Sequence, residues 1–241
     1  KKSLGQNFLI DKNIVNKIIN SVDIKNRKII EIGPGLGILT KEILKLKPKE
    51  LILIEKDNSL FNFLSNKYNQ NNLTILNEDA LTFNISKLTN FNLISNLPYN
   101  ISSKYLLKII KFNKNFTNII CMIQSELADK LDYKNGKMNK YKFISKYCSE
   151  YEILFEVSPN VFYPKPKIFS KVVKFKLINK NINVKKLDLF IKLFFRNKRK
   201  QIKSNKIFAN LINKKNTHKR YEDLTYNDVL EIYERFNFPF S

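Results

Sequence analysis

Asn96-Leu97-Pro98-Tyr99 is the stretch of this chain whose residue types, taken together, can do chemistry. The Asn96 side-chain oxygen and the Leu97 carbonyl are two acceptors on adjacent residues. Pro98 has no N–H and a fixed φ, so it stiffens the turn and leaves the carbonyl before it open to a ligand. Tyr99 offers a flat face on which a base can stack. Two acceptors aimed at an exocyclic amine would pull its nitrogen toward tetrahedral geometry. That frees a lone pair otherwise delocalised into the base ring, and the chemistry suggested is methylation of a poor nucleophile. Asn and Pro also serve plain strand-to-helix turns, so the motif gains its meaning from what surrounds it.

A second cluster is Glu31-Ile32-Gly33-Pro34-Gly35-Leu36-Gly37. The chain has five glycines and three of them fall here. A protein this sparing of glycine needs, at this point, a tight turn with close approach by a ligand. The spacing is Gly-x-Gly-x-Gly, one residue shorter than the dinucleotide pattern. Glu55 lies 22 residues after Gly33, where an acid at the end of a second strand can bind both hydroxyls of a ribose. In Glu78-Asp79-Ala80 an acid can accept from the amine of an adenine ring. Near the amino terminus, Gly5 permits a bend and Gln6, Asn7, Phe8 and Leu9 follow. They read as an arm that either docks on the body or folds over the mouth of a ligand site.

The elements around these residues alternate. Apolar strands are expected at 28–32, 50–54, 73–76, 91–94 and 118–123, with helices at 12–22, 38–46, 58–68, 102–112 and 124–131. Residues 132–142 read as a mobile basic loop, and further strands are expected at 151–157 and 168–177. This βα order, closed by an antiparallel hairpin, indicates a doubly wound sheet with its ligands at the carboxyl ends of the strands. Between the last two strands, three prolines hold the extended segment Ser158 to Lys167. There Phe162 either covers the second face of the base held by Tyr99 or anchors the loop on the core. After a polar break at 179–183, helices are expected at 185–195, 202–212 and 227–236. The basic run Arg196 to Lys200 reads as a solvated face or a phosphate contact.

Composition sets the frame. The chain has 241 residues, 44 Lys and Arg against 21 acids, a net charge of +23 and 43% hydrophobic residues. That is enough apolar material to bury a core and exclude a largely disordered chain. The charge suggests a polyanionic partner, although a bias toward Lys, Asn, Ile and Phe accounts for part of it. No apolar run is long enough to span a membrane. Cys121 and Cys148 read as reduced core residues, and His218 as a solvated loop residue, so no metal constellation is expected.

The motifs together resemble the KsgA family of small-subunit ribosomal RNA adenine dimethyltransferases. The resemblance rests on Lys-Ser-Leu-Gly-Gln-Asn-Phe-Leu at 2–9, Glu-Ile-Gly-Pro-Gly-Leu-Gly at 31–37 and Ile-Glu-Lys-Asp at 54–57. It continues through Glu-Asp-Ala at 78–80, Asn-Leu-Pro-Tyr-Asn-Ile-Ser at 96–102, Phe-Tyr-Pro-Lys-Pro-Lys-Ile at 162–168 and Lys198-Arg199-Lys200. It implies an α/β fold: a Rossmann-like class I S-adenosylmethionine-dependent methyltransferase domain with its arm over 1–178, and a small all-α RNA-docking domain over 179–241. It implies that Asn7, Leu9, Gly33, Gly35, Glu55, Asp79 and Asn96 line the donor site. Glu55 would take the ribose hydroxyls and Asp79 the adenine amine. Asn96, Leu97, Pro98, Tyr99 and Phe162 would hold the target adenine, and Lys198, Arg199 and Lys200 would contact RNA. The implied reaction is N6,N6-dimethylation of two adjacent adenosines in the hairpin loop near the 3′ end of small-subunit RNA. No metal is expected. The expected setting is a monomer acting on an immature small subunit, off the membrane, in the cytoplasm or in an organelle matrix after loss of a targeting segment. Two departures fall on the substrate side: Lys142 stands where relatives usually carry glycine, and Lys130 where arginine is common. An erythromycin-resistance methyltransferase of large-subunit RNA, or a non-catalytic binding factor on the same fold, are the alternatives. Leu97, Pro34 and the Leu-Gly-Gln-Asn-Phe-Leu start disfavour the former, and intact Glu55, Asp79 and Asn96 the latter.

Overall fold

The structure is a computed structural model that describes residues 7–134, 136–197, 199–213 and 216–237. Five strands run parallel: β2 (Lys28–Ile32), β3 (Glu50–Ile54), β4 (Leu73–Leu76), β5 (Phe91–Asn96) and β6 (Phe116–Gln124). Two more, β7 (Ser149–Val157) and β9 (Ser170–Leu177), complete a seven-stranded sheet of order β4-β3-β2-β5-β6-β9-β7. β9 is inserted between β6 and β7 and runs antiparallel to both. A separate two-stranded ribbon pairs β1 (Phe8–Leu9) with β8 (Phe162–Tyr163).

Strand alternation explains the layering. Ile30, Ile32, Ile52, Ile54, Leu93 and Ile119 point to one face, and Ile29, Leu51, Leu53, Ile94 and Ile120 to the other. Both faces are apolar because both are covered, as parallel sheets require. Helices α1 (Lys12–Ile19) and α2 (Ile38–Lys45) cover the second face through Val15, Ile18, Leu39 and Ile43. Asp11 starts α1 by accepting from the N–H groups of Asn13 and Ile14 at 2.8 and 3.0 Å. Helix α3 (Asn58–Lys67) is capped in the same way by Asp57.

Helices α4 (Tyr99–Ile109), α5 (Ser125–Leu131) and α6 (Lys140–Cys148) cover the first face. Two of them correct the sequence expectation. α4 begins at Tyr99 rather than at 102, because Pro98, with φ −55°, takes the N-cap position and its carbonyl receives Ile101 and Ser102 N–H at 3.1 and 3.0 Å. α6 was not expected at all. Asn139 caps it, and Phe143, Ile144, Tyr147 and Cys148 bury its inner face. The last three residues of the expected mobile loop, 140–142, therefore belong to a packed helix.

The chain leaves β9 and enters α7 (Val184–Phe194), α8 (Lys206–Ala209) and α9 (Tyr226–Arg235). The single helix expected over 202–212 is broken: Asn205 turns the chain and caps the short α8. Phe190 of α7 sits at centroid distances of 4.9–6.0 Å from Phe194, Phe208, Tyr233, Phe236 and Phe143. Since Phe143 belongs to α6, the terminal helices share one hydrophobic cluster with the sheet. Each fully buried ring there contributes roughly 1.5–3 kcal/mol. Cys121 and Cys148 are buried free thiols, as expected. Burial pushes the Cys148 thiol up to about 12, so it stays protonated. No helix among the described residues is long and apolar enough to cross a membrane.

Candidate active site

The strand order reverses between β2 and β5, which makes their carboxyl ends the topological switch point of the sheet. The glycine cluster leaves β2 there and Asn96 ends β5. Gly33, Gly35 and Gly37 all have φ between +58° and +75°, a region that side chains with a Cβ disfavour. Space is short as well. A Cβ on Gly33 would lie 3.2 Å from Pro98 Cγ, and one on Gly35 would lie 3.1 Å from the ring of Phe8. The loop is thus wedged between the Asn96–Tyr99 segment and the amino-terminal arm.

Glu55, one residue past β3, is 4% exposed. Its carboxylate accepts Gly35 N–H at 3.2 Å and Asp57 N–H at 2.9 Å, which ties the second strand end to the glycine loop. Burial pushes its pKa up, while those backbone donors act the other way. Asp79 follows β4. It accepts Leu81 N–H at 2.9 Å and pairs with Lys56 Nζ at 2.8 Å. The Lys56 bond holds its carboxyl below the usual carboxylate range. Asn96 donates through Nδ2 to the carbonyl of Asn7 at 3.3 Å. The arm therefore fixes the amide and leaves its oxygen as the free acceptor. Leu97 N–H is held by Met122 O at 3.2 Å, which anchors the motif to the neighbouring strand. Tyr99 bonds Ser170 Oγ at 2.7 Å.

Two clefts open side by side. One, of about 670 Å³, is lined by Asn7, Phe8, Leu9, Glu31, Gly33, Gly35, Glu55 and Asn96 to Tyr99, among others. The other, of about 630 Å³, is lined by Gly33, Glu55, Lys56, Glu78, Asp79, Pro98 and Asn100, among others. Gly33, Glu55 and Pro98 belong to both, so the two form one trench. All seven expected donor-site residues line it, together with Leu97, Pro98 and Tyr99. In a chain of net charge +23, the described residues that line this trench include Glu55, Glu78 and Asp79, with Glu31 buried behind them, against a single basic residue among those described, Lys56. An acidic trench suits a cationic ligand and disfavours phosphates. S-Adenosylmethionine, with its sulfonium and ammonium charges, a ribose for Glu55 and an adenine for Asp79, fits this donor set.

Phe162 is the expected base-holding residue that is not brought into either cleft. It is 3% exposed and its strand position pairs with Leu9, so it packs under the arm with Val15 and Ile18. Of the expected RNA contacts, Arg199 and Lys200 are exposed and Lys198 lies outside the described residues. His218 is exposed, as expected. Among the described residues no cluster of His, Cys, Asp or Glu could hold a metal.

Sequence reasoning missed Glu31, Phe8 and Ser170. Glu31 lies inside the apolar run of β2 and looks like part of a buried strand; its one signal was being an acid there. It accepts Thr40 Oγ1 at 2.6 Å. Burial pushes its carboxyl from 4.5 up to about 8; the Thr40 bond opposes this and the charge of Glu55 adds to it. Between pH 4.5 and about 8 the folded protein holds a proton that the unfolded chain has lost. The contribution of Glu31 to stability is therefore fully present below pH 4.5 and is lost as pH rises toward 8. Glu31→Gln is expected to stabilise the protein relative to wild type at pH 8 and hardly at all at pH 5. Thermal unfolding at the two pH values measures this, and an equal difference at both would refute it.

Comparison with known proteins gives one consistent result. The model of the ribosomal RNA adenine dimethylase family matches residues 1–238. The chain is 41% identical over 209 residues to ribosomal RNA small subunit methyltransferase A of Mycoplasmopsis synoviae, covering 84% of this chain and 80% of that protein. It is 37% identical over 238 residues to the same-named protein of a Hydrogenobaculum species, covering 97% and 92%. In fold it matches a dimethyladenosine transferase from Plasmodium falciparum with a TM-score of 0.78 at 24% identity, over 93% of this chain and 95% of the other. It also matches the 23S rRNA methyltransferase ErmE with a TM-score of 0.67 at 19% identity, over 95% and 99%. The switch-point trench, the methyltransferase sheet and these matches agree: the chain belongs to the ribosomal RNA adenine dimethylase family.

Proposed function

We propose that this enzyme transfers methyl groups from S-adenosylmethionine to N6 of two adjacent adenosines in the hairpin loop near the 3′ end of small-subunit ribosomal RNA, taking each to the dimethyl state. One observation carries the reading. The cleft that contains Glu31, Gly33, Gly35 and Glu55 on the donor side also contains Asn96 to Tyr99 on the acceptor side. Donor and target amine therefore meet in one pocket.

The donor supplies a methyl group on a positively charged sulfur, an activated leaving group that needs no metal to react. The protein's share is position and electrostatics. Glu55 holds the ribose, Asp79 the adenine amine, and the glycine loop lets backbone approach the methionine part. Asn96 Oδ1 and the Leu97 carbonyl accept from the target amine and stabilise charge developing on its nitrogen. Tyr99 stacks on the base, with its ring set by Ser170. No strong general base is required, because the alkylated nitrogen is acidic and sheds its proton afterwards. A base must leave its stack to reach the pocket, and a hairpin loop makes that cheap. Arg199 and Lys200, with the helices after 184, would dock the surrounding RNA.

Two features favour the small-subunit over the large-subunit reading. Leu97 and Pro34 match the small-subunit pattern, and the relatives at 36–41% identity carry the small-subunit name. Incubation with labelled S-adenosylmethionine and immature small subunits lacking the modification should place two methyl groups on each of two adjacent adenosines. Label in large-subunit RNA instead, or none in either, would overturn the proposal.

A further inference from the structure

Among the described residues, nine large apolar side chains stand exposed, and three of them lie in one short segment: Tyr163 at 73%, Ile168 at 43% and Phe169 at 49%. This is the loop between β8 and β9. Exposed lysines, Lys165 and Lys167, stand between the aromatics, and no acid occurs from 157 to 170. Lys165, Lys167 and Phe169 line a shallow groove with Pro166 and the 158–160 turn.

The two ends of the loop fix where this face lies. At one end Tyr163 pairs with Phe8, and Phe8 lines the donor-side cleft. At the other end Ser170, fully buried, bonds the hydroxyl of Tyr99. The loop therefore spans from the arm over the cleft to the ring that receives the base. Alternation along β8 turns Phe162 inward and Tyr163 outward. Pro164 and Pro166 restrict the backbone of this loop, so less order is lost when a ligand settles on it.

Exposed aromatic faces interleaved with lysines are what a single strand of nucleic acid needs: π-faces for bases and cations for the phosphates between them. We propose that this loop is a second RNA subsite, on which nucleotides flanking the flipped adenosine stack against Tyr163 and Phe169 while Lys165 and Lys167 take their phosphates. This rests on the reading above that the substrate is RNA. It adds a reason why the reacting adenosine stays out of its stack: its neighbours are held on the protein.

The test uses the full chain and unmethylated small subunits. Tyr163→Ala with Phe169→Ala should raise KM for subunits about thirtyfold, the low end of what two lost base–aromatic stacks cost, with kcat and S-adenosylmethionine affinity unchanged. Lys165→Ala with Lys167→Ala should weaken subunit binding at low salt and converge on wild type at high salt. A photoreactive benzoylphenylalanine in place of Tyr163 should crosslink to nucleotides beside the modified adenosines. Unchanged KM, or crosslinks to a ribosomal protein or to a second copy of this chain, would overturn the subsite. If wild type itself failed to methylate small subunits, the substrate reading would fail instead, so the two outcomes are distinguishable.

Discussion

Asn96→Ala lowers methyl transfer by more than tenfold, about 1.4 kcal/mol of barrier or more, while RNA binding persists. This is the expected result because the side-chain oxygen acts where charge develops, on the amine nitrogen, and adds little to ground-state docking. The structure sharpens the expectation. Asn96 Nδ2 donates one hydrogen to the Asn7 carbonyl, which orients the amide and leaves its oxygen available to accept from a substrate. Asn96→Asp keeps an acceptor but sets a charge against that carbonyl, and should also lose activity, in part by displacing the arm. Single-turnover rates on small subunits, with RNA binding measured alongside, decide the matter. Unchanged turnover in the alanine variant would remove Asn96 from the chemistry.

Glu55→Ala is expected to weaken binding of the donor, read with S-adenosylhomocysteine, by one to two orders of magnitude. A hydrogen bond to a charged group is worth roughly 1.5–3 kcal/mol, and Glu55 has two oxygens within reach of a ribose. Part of the loss would come through the protein, since the same carboxylate holds Gly35 and Asp57 N–H. The pH dependence has a definite sign. Burial raises the Glu55 pKa, and the ionised form is the double acceptor, so donor affinity should fall as pH drops through that raised value. Glu55→Ala should lack this dependence. Calorimetry showing unchanged affinity in the variant would remove Glu55 from the site.

The parts of this fold that local sequence displays are those where one signal dominates. β2, β3 and β4 have the bounds their apolar runs suggested, and the scarcity of glycine made the loop at 33–37 stand out. Glu55 was legible because strand length and loop length together set the distance from Gly33. The failures have a physical cause in each case. Helix α6 hides its apolar face among Lys140, Lys142 and Ser145, and its packing partners, Phe190 and Tyr233, lie more than 40 residues away in sequence. The helix expected over 202–212 breaks at Asn205, whose side chain prefers a cap to a helix interior. The residues alone left Phe162 either facing a base or anchoring the loop on the core, and only the long-range ribbon with Leu9 turns it inward. Ser170 matters only through a contact 71 residues long, which no local pattern encodes.

The most direct measurement is a crystal structure with S-adenosylhomocysteine bound. The ribose hydroxyls should lie within hydrogen-bond distance of Glu55, the adenine amine at Asp79, and the sulfur on the Asn96 side of the glycine loop. A donor seated anywhere other than this trench, or turned so that its sulfur points away from Asn96, would contradict the claim that one pocket holds both reactants.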